Sequence, residues 1–185
     1  RVCNQDDQED LRKCMQLLKY FHQQDLKVDH EFNVFEKIDF YEKLRGPKSL
    51  YKDYDQTKEK VFSLKNIIEK MPKEWRLCHI DANCDNFLFY KEDEEEKIKL
   101  IDWEYAAMQD IHLDIAMFCI YSMYNRHQVD NLIDIYFENK CDQQTRIKIY
   151  CYISMCGLLW SNWCEYKYTL GVEFGKYSLA QYRFA

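Results

Sequence analysis

The chain has 185 residues, enough for one compact domain with its own core, and 47% of them are hydrophobic, which excludes a disordered tail. A formal charge of −6 leaves no basic footprint for nucleic acid. The same charge suits a polyphosphate ligand only if a divalent metal or a further basic segment supplies positive charge. In chain order, residues 7–21 place Leu11, Met15, Leu18 and Phe21 at helical spacing. Residues 31–45 read as a second helix stopped by Gly46-Pro47, and residues 55–71 as a third stopped by Pro72. The period then changes. Residues 75–80, 86–90 and 97–101 are short, apolar and strand-like, and the almost wholly charged run 91–96 between the last two reads as a solvated hairpin tip. After Asp102 the helical pattern returns over residues 110–124, 129–138, 142–166 and 174–184, and no proline follows position 72 to interrupt it. The expected fold class is mostly α with a small β hairpin (α+β), one unit over residues 1–185.

Nine cysteines, an odd number with no CxxC pair, argue against zinc or a disulfide framework. Several lie in apolar runs, as Cys119 and Cys156 do, so buried free thiols in a reducing cytoplasm are expected. No signal peptide opens the chain, and its most apolar stretch, residues 150–160, falls short of the ~20 residues that cross a bilayer, so no membrane insertion is expected. The chain begins at Arg1, as a processed or excised piece would. Its 15 Tyr, 11 Phe and 4 Trp can build an aromatic core or an aromatic pocket.

The chemistry-bearing residues gather around the short strands. His79-Ile80-Asp81 is followed by Asn86, and Asp102 ends the next apolar strand, in HIDANCDN … KLIDWE. Phosphoryl transfer calls for such a set. The attacking hydroxyl must be held in line and relieved of its proton, which suits a carboxylate, and metal ions on the phosphates need hard oxygen ligands. A loop with base and amide, then a hairpin ending in a second carboxylate, brings three such groups to one point, with the Asp-to-Asn spacing of the protein-kinase catalytic loop. Asp81 and Asn86 as turn residues, with Asp102 as a strand terminator, is the plainer alternative. His79 is expected to brace the loop rather than react.

HIDANCDNFLF and LIDWEY resemble the aminoglycoside phosphotransferase and choline kinase superfamily, which shares the kinase fold. Within it the chain is most similar to LicA-type bacterial choline kinases. IDWEY resembles their IDFEY stretch, the opening VDHEFNVFEKIDFYE is LicA-like, and GLLWSNWCEYKYTLGVEFGKYSLAQYRF resembles the choline kinase tail. The resemblance implies the C-terminal catalytic lobe of a protein-kinase-like fold, and transfer of the γ-phosphoryl of ATP to choline. It implies Asp81 as catalytic base, Asn86 and Asp102 as Mg2+ ligands, and Asp114 as a brace on the catalytic loop. It also implies Tyr105, Trp160 and Trp163 as choline contacts. Aromatic faces suit a quaternary ammonium, which has no N–H to donate. Trp160 and Trp163 lie three apart on one helical face, a spacing that core packing also produces. The sequence departs from eukaryotic choline kinases at Tyr121, where those carry an acid, and at Lys176 and Leu179, where those carry aromatics.

Only four glycines occur, none in a phosphate-cradling loop, and no strand with a VAIK-like lysine precedes the first helix. The N-terminal nucleotide-binding lobe is therefore expected to be absent and this chain alone inactive, with self-association through the uncovered face a possible result. A kinase for another small alcohol (ethanolamine, a sugar or an aminoglycoside) and a non-catalytic choline-binding module are the alternatives at this stage.

Overall fold

A computed structural model describes all 185 residues. Helix α1 (Gln8–His22) starts where the Asp7 carboxylate accepts the Glu9 and Asp10 N–H groups. Helix α2 (Val34–Arg45) starts at Asn33, which caps Phe35 and Glu36 in the same way. It is three residues shorter than residues 31–45 because Glu31 pairs through its backbone with Met108. The expected third helix is two, α3 (Tyr54–Ser63) and α4 (Lys65–Ile68), separated at Leu64. There the Leu64 N–H bonds Val61 O, a tightened 3₁₀-type turn.

Strands β1 (Trp75–Cys78), β2 (Phe87–Glu92), β3 (Glu95–Leu100) and β4 (Ala107–Asp110) follow. The hairpin of β2 and β3 runs from Phe87↔Leu100 to Glu92↔Glu95. Asp93 and Glu94 turn it with φ of 49° and 64°, both in the left-handed region that two-residue hairpin turns require. Strand β4 corrects the expectation of a single hairpin: it pairs antiparallel with β1, Trp75↔Asp110 to Cys78↔Ala107, in a second two-stranded sheet. Its backbone is also bonded by distant partners, Met108 N–H to His30 O and Phe32 N–H to Met108 O, which local periodicity does not reveal.

Helix α5 (His112–Tyr121) is buried at every residue from His112 to Ile120. A helix apolar all round belongs in the middle of a domain, and α5 lies against α6 (Arg126–Phe137), α7 (Gln143–Thr169) and α8 (Lys176–Phe184). The 27 residues of α7 make a rod of about 40 Å that also supports α2 and α3. No helix is long and apolar enough to cross a membrane.

Two buried polar clusters fix α7 in register. Arg45 Nε lies 2.8 Å from Asn162 Oδ1 and 3.1 Å from Glu165 Oε2, joining α2 to α7. At the other end Lys148 Nζ lies 3.0 Å from Asp110 Oδ2 and donates to Pro72 O at 2.6 Å. Burial pushes the Asp110 carboxyl up, but His112 and Lys148 beside it hold it below the ordinary carboxylate range. All nine cysteines are free thiols, seven of them buried.

Helix α8 docks on α7 at Gly157, where an added Cβ would sit 2.6 Å from Phe184 Cβ and 2.8 Å from Gln181 O. On helix propensity alone Gly157→Ala would stabilise by about 1 kcal/mol. The clash reverses the sign: we expect a net loss of about 1–3 kcal/mol, as in other overpacked sites. Urea unfolding of the two proteins checks this, and a more stable variant would show that the contact yields freely.

Candidate active site

Strand β1 delivers the chain to His79, Ile80 and Asp81. Ile80 has φ 69°, a left-handed conformation that a β-branched residue rarely adopts. Such strain costs of order 1–3 kcal/mol and persists only where the surroundings enforce it. The enforcing group is Asp114, fully buried in the first turn of α5. Its Oδ2 accepts the His79 N–H at 2.8 Å and its Oδ1 accepts the Ile80 N–H at 2.7 Å. From α1, His22 Nε2 lies 2.9 Å from Asp114 Oδ2, while His22 Nδ1 lies 2.8 Å from the Tyr136 hydroxyl on α6.

His79 is also fully buried, and its Nε2–H donates to Ile101 O at 2.8 Å with the ring edge against Trp103. Ile101 N–H in turn bonds Asn86 O at 3.0 Å. The loop after β1 and the residues after β3 are thereby fixed to each other, and Asp102 follows directly, exposed and with φ 63°.

Within the loop, Asn86 Nδ2 donates to Asp81 O at 2.8 Å and to Asp81 Oδ2 at 3.0 Å, and Asn83 Nδ2 donates to Asp81 Oδ1 at 3.1 Å. Burial raises the Asp81 carboxyl above its ordinary range, and hydrogen bonds from Tyr121, Asn83 and Asn86 offset part of that rise. A raised carboxylate is the stronger base. With the Asn86 amide nitrogen spent on Asp81, its Oδ1 is left as a hard oxygen donor, and so is the free carboxylate of Asp102. That donor set fits Mg2+.

Beside Asp81 opens a cavity of about 450 Å³ whose lining includes Asn83, Asp85, Tyr121, Trp163, Phe174 and Tyr177. The aromatic rings form a chain, with centroids 5.0 Å apart for Trp163–Phe174 and 6.1 Å for Tyr121–Tyr177. Trp163 reaches the cavity. Trp160 does not line it: the ring is 3% exposed, its Nε1–H points at Met117 Sδ (3.2 Å), and it backs Tyr121 and Trp163 at 5.7 and 5.4 Å. Tyr105 packs edge-on against Trp160, 6.1 Å away, outside the lining. Its phenol is pushed up to about 12, chiefly by burial. A second cavity, about 420 Å³ between α1 and α6, has Tyr136 on its lining but none of the residues around Asp81 or its aromatic cavity.

Asp85, Phe174 and Tyr177 escaped the sequence reading, as did His22 and Tyr136. Phe174 and Tyr177 stand three apart near the start of α8, a spacing that marked a shared face but not which cavity it meets. His22 was a lone histidine whose partner is 92 positions away.

The Phosphotransferase enzyme family matches residues 3–150. The chain belongs to that family. It is 26% identical to Protein LicA of Haemophilus influenzae, over 94% of this chain and 67% of that protein. The crystal structure of choline kinase LicA from Streptococcus pneumoniae superposes with a TM-score of 0.82 at 27% identity, over 99% of this chain and 64% of that one. A structure of LicA in complex with AMP gives 0.83 at 27% identity, over 99% and 63%. The chain thus spans about two thirds of the length of these relatives. The mostly helical architecture with its small antiparallel sheets is the matching part of the choline kinase fold.

Asp114 can be tested on stability alone. In Asp114→Asn an amide N–H2 replaces one acceptor of the two loop N–H groups and His22. At least one buried N–H then faces an amide N–H2 instead of an acceptor, and a buried donor left unsatisfied costs about 1–3 kcal/mol, so a loss of that size in urea unfolding is expected. A loss under ~1 kcal/mol, the size of one ordinary hydrogen bond, would show that the loop holds its shape without this carboxylate.

Proposed function

We propose that this chain carries the base, the metal ligands and the acceptor pocket of a kinase that transfers the γ-phosphoryl of ATP to the hydroxyl of choline, giving phosphocholine. One observation carries the reading: Asp81, raised by burial and held by Asn83 and Asn86, stands beside a cavity walled by aromatic rings. In this reading the choline hydroxyl meets Asp81, which takes its proton as the oxygen attacks the γ-phosphorus of ATP and the bond to ADP breaks, so that ADP leaves. Asn86 Oδ1 and Asp102 would hold Mg2+, which, when bound, neutralises charge on the phosphates. His79 and Asp114 act by position, keeping Asp81 and Asp102 in register.

The trimethylammonium group lies against Trp163, Phe174, Tyr121 and Tyr177, with Trp160 and Tyr105 supporting them from behind. Each face contributes about 0.5–2 kcal/mol by cation–π attraction. The similarity to a LicA bound to AMP supports a nucleotide as co-substrate. This chain has four glycines and no phosphate-cradling loop, so further nucleotide contacts come from a nucleotide-binding lobe outside these 185 residues. A cytoplasmic setting accords with nine unpaired thiols and with ATP as donor.

Asp81→Asn tests the assignment in a protein that includes the whole ATP site. The amide keeps the shape and removes the base, so turnover should fall roughly 10²–10⁴-fold, while choline affinity changes little. Wild-type turnover in the variant would remove Asp81 from the chemistry. A substrate panel belongs with it: phosphorylation of ethanolamine, a sugar or an aminoglycoside in preference to choline would move the reading to that alcohol.

A further inference from the structure

We propose that Asp85 supplies the counter-charge that selects a cationic acceptor in the cavity beside Asp81. The inference rests on the reading of that cavity as the acceptor pocket and adds to it a residue that fixes specificity.

The cavity is walled by Tyr121, Trp163, Phe174 and Tyr177, with Asn83 beside them, and no lysine or arginine lines it. Burial pushes the Tyr121 and Tyr177 phenols upward, so they are neutral at physiological pH. Asp85 is the one formal charge on this surface. It is exposed and unpaired: its carboxylate joins no ion pair and accepts no hydrogen bond from the chain.

Its backbone placement is fixed. Residues Cys84–Asn86 form a 3₁₀ turn, capped by Asn83, whose Oδ1 accepts the Asp85 N–H at 2.9 Å. The same Asn83 side chain donates through Nδ2 to Asp81 Oδ1 at 3.1 Å. One amide therefore ties the backbone that carries Asp85 to the Asp81 carboxylate: Asp81 stands beside the cavity for a hydroxyl, and Asp85 lies on its lining for a charge. Aromatic faces attract a cation but also welcome an uncharged apolar group of equal shape. A carboxylate rewards only the charged one.

The test uses 3,3-dimethylbutan-1-ol, the carbon isostere of choline, which has the same shape and no charge. Binding of choline and of the isostere to the 185-residue chain is followed by tryptophan fluorescence and calorimetry, for wild type, Asp85→Asn and Asp85→Glu. The expected result is a fall of about tenfold in the ratio of choline to isostere affinity in Asp85→Asn, equivalent to ~1.4 kcal/mol. Asp85→Glu should keep most of the wild-type ratio. Raising the ionic strength should weaken choline more than the isostere in wild type and narrow that difference in Asp85→Asn. A ratio unchanged by Asp85→Asn, with choline still bound, would overturn the role of Asp85 and leave the acceptor pocket standing. A loss equal for both ligands would also overturn it, since a purely structural or metal-holding role would affect the two alike. If wild type binds neither ligand, the acceptor pocket itself is misread, and the role of Asp85 falls with it.

Discussion

A single carboxylate on a buried helix gives the loop its shape. Asp114 accepts two successive backbone N–H groups, and this requires Ile80 to turn into the left-handed region that its branched side chain resists. Two charge-assisted hydrogen bonds at 2.7 and 2.8 Å are together strong enough to hold a strain of that order. Because α5 is buried on all sides, Asp114 cannot move without disturbing the core, so the rigidity of the helix is passed to the loop. From that fixed point follow the direction of Asp81, the tie from His79 to Ile101, and the place where Asp102 leaves β3.

The cavity is built by a different logic. Its walls come from the loop after β1, from the end of α5, from α7 and from α8, and aromatic packing rather than hydrogen bonding joins them. Trp160 shows how the layers work. It spends its N–H on a methionine sulfur inside the core and supports the rings that face outward. A residue one helical turn along, Trp163, has the half-buried position that reaches the cavity. Two tryptophans of the same helix thus serve as backing and as surface.

The sequence showed most clearly what repeats locally. The helical period located all the long helices, and the charged run at 91–96 marked the hairpin tip, because both depend on neighbours in the chain. The spacing from Asp81 to Asn86 and on to Asp102 placed those side chains on one loop and one strand end, where the structure has them. What stayed hidden depends on distant partners. Strand β4 pairs with β1 and with the segment before α2, so its residues carried no period of their own. The His22–Asp114 contact and the meeting of Phe174 and Tyr177 with Asn83 and Asp85 arise only when α1 and α8 dock. The Asn125–Gln128 capping box is the exception: it was written locally and would have started α6 at its true first residue.

The division of the cavity wall has a consequence for the tail. Helix α8 supplies Tyr177 to the lining and is anchored by Gln181, whose amide donates to Ile120 O at 2.9 Å, and by its close approach to Gly157. A molecule that rests on Tyr177 binds only when this helix is in place. Its occupancy and the docking of the last ten residues are then one linked equilibrium, and ligand favours the docked form by RT ln(1 + [L]/Kd). The backbone amides of the tail would report an occupied cavity through slower hydrogen exchange, and a protease that cuts only the undocked tail would be held off by the same molecule.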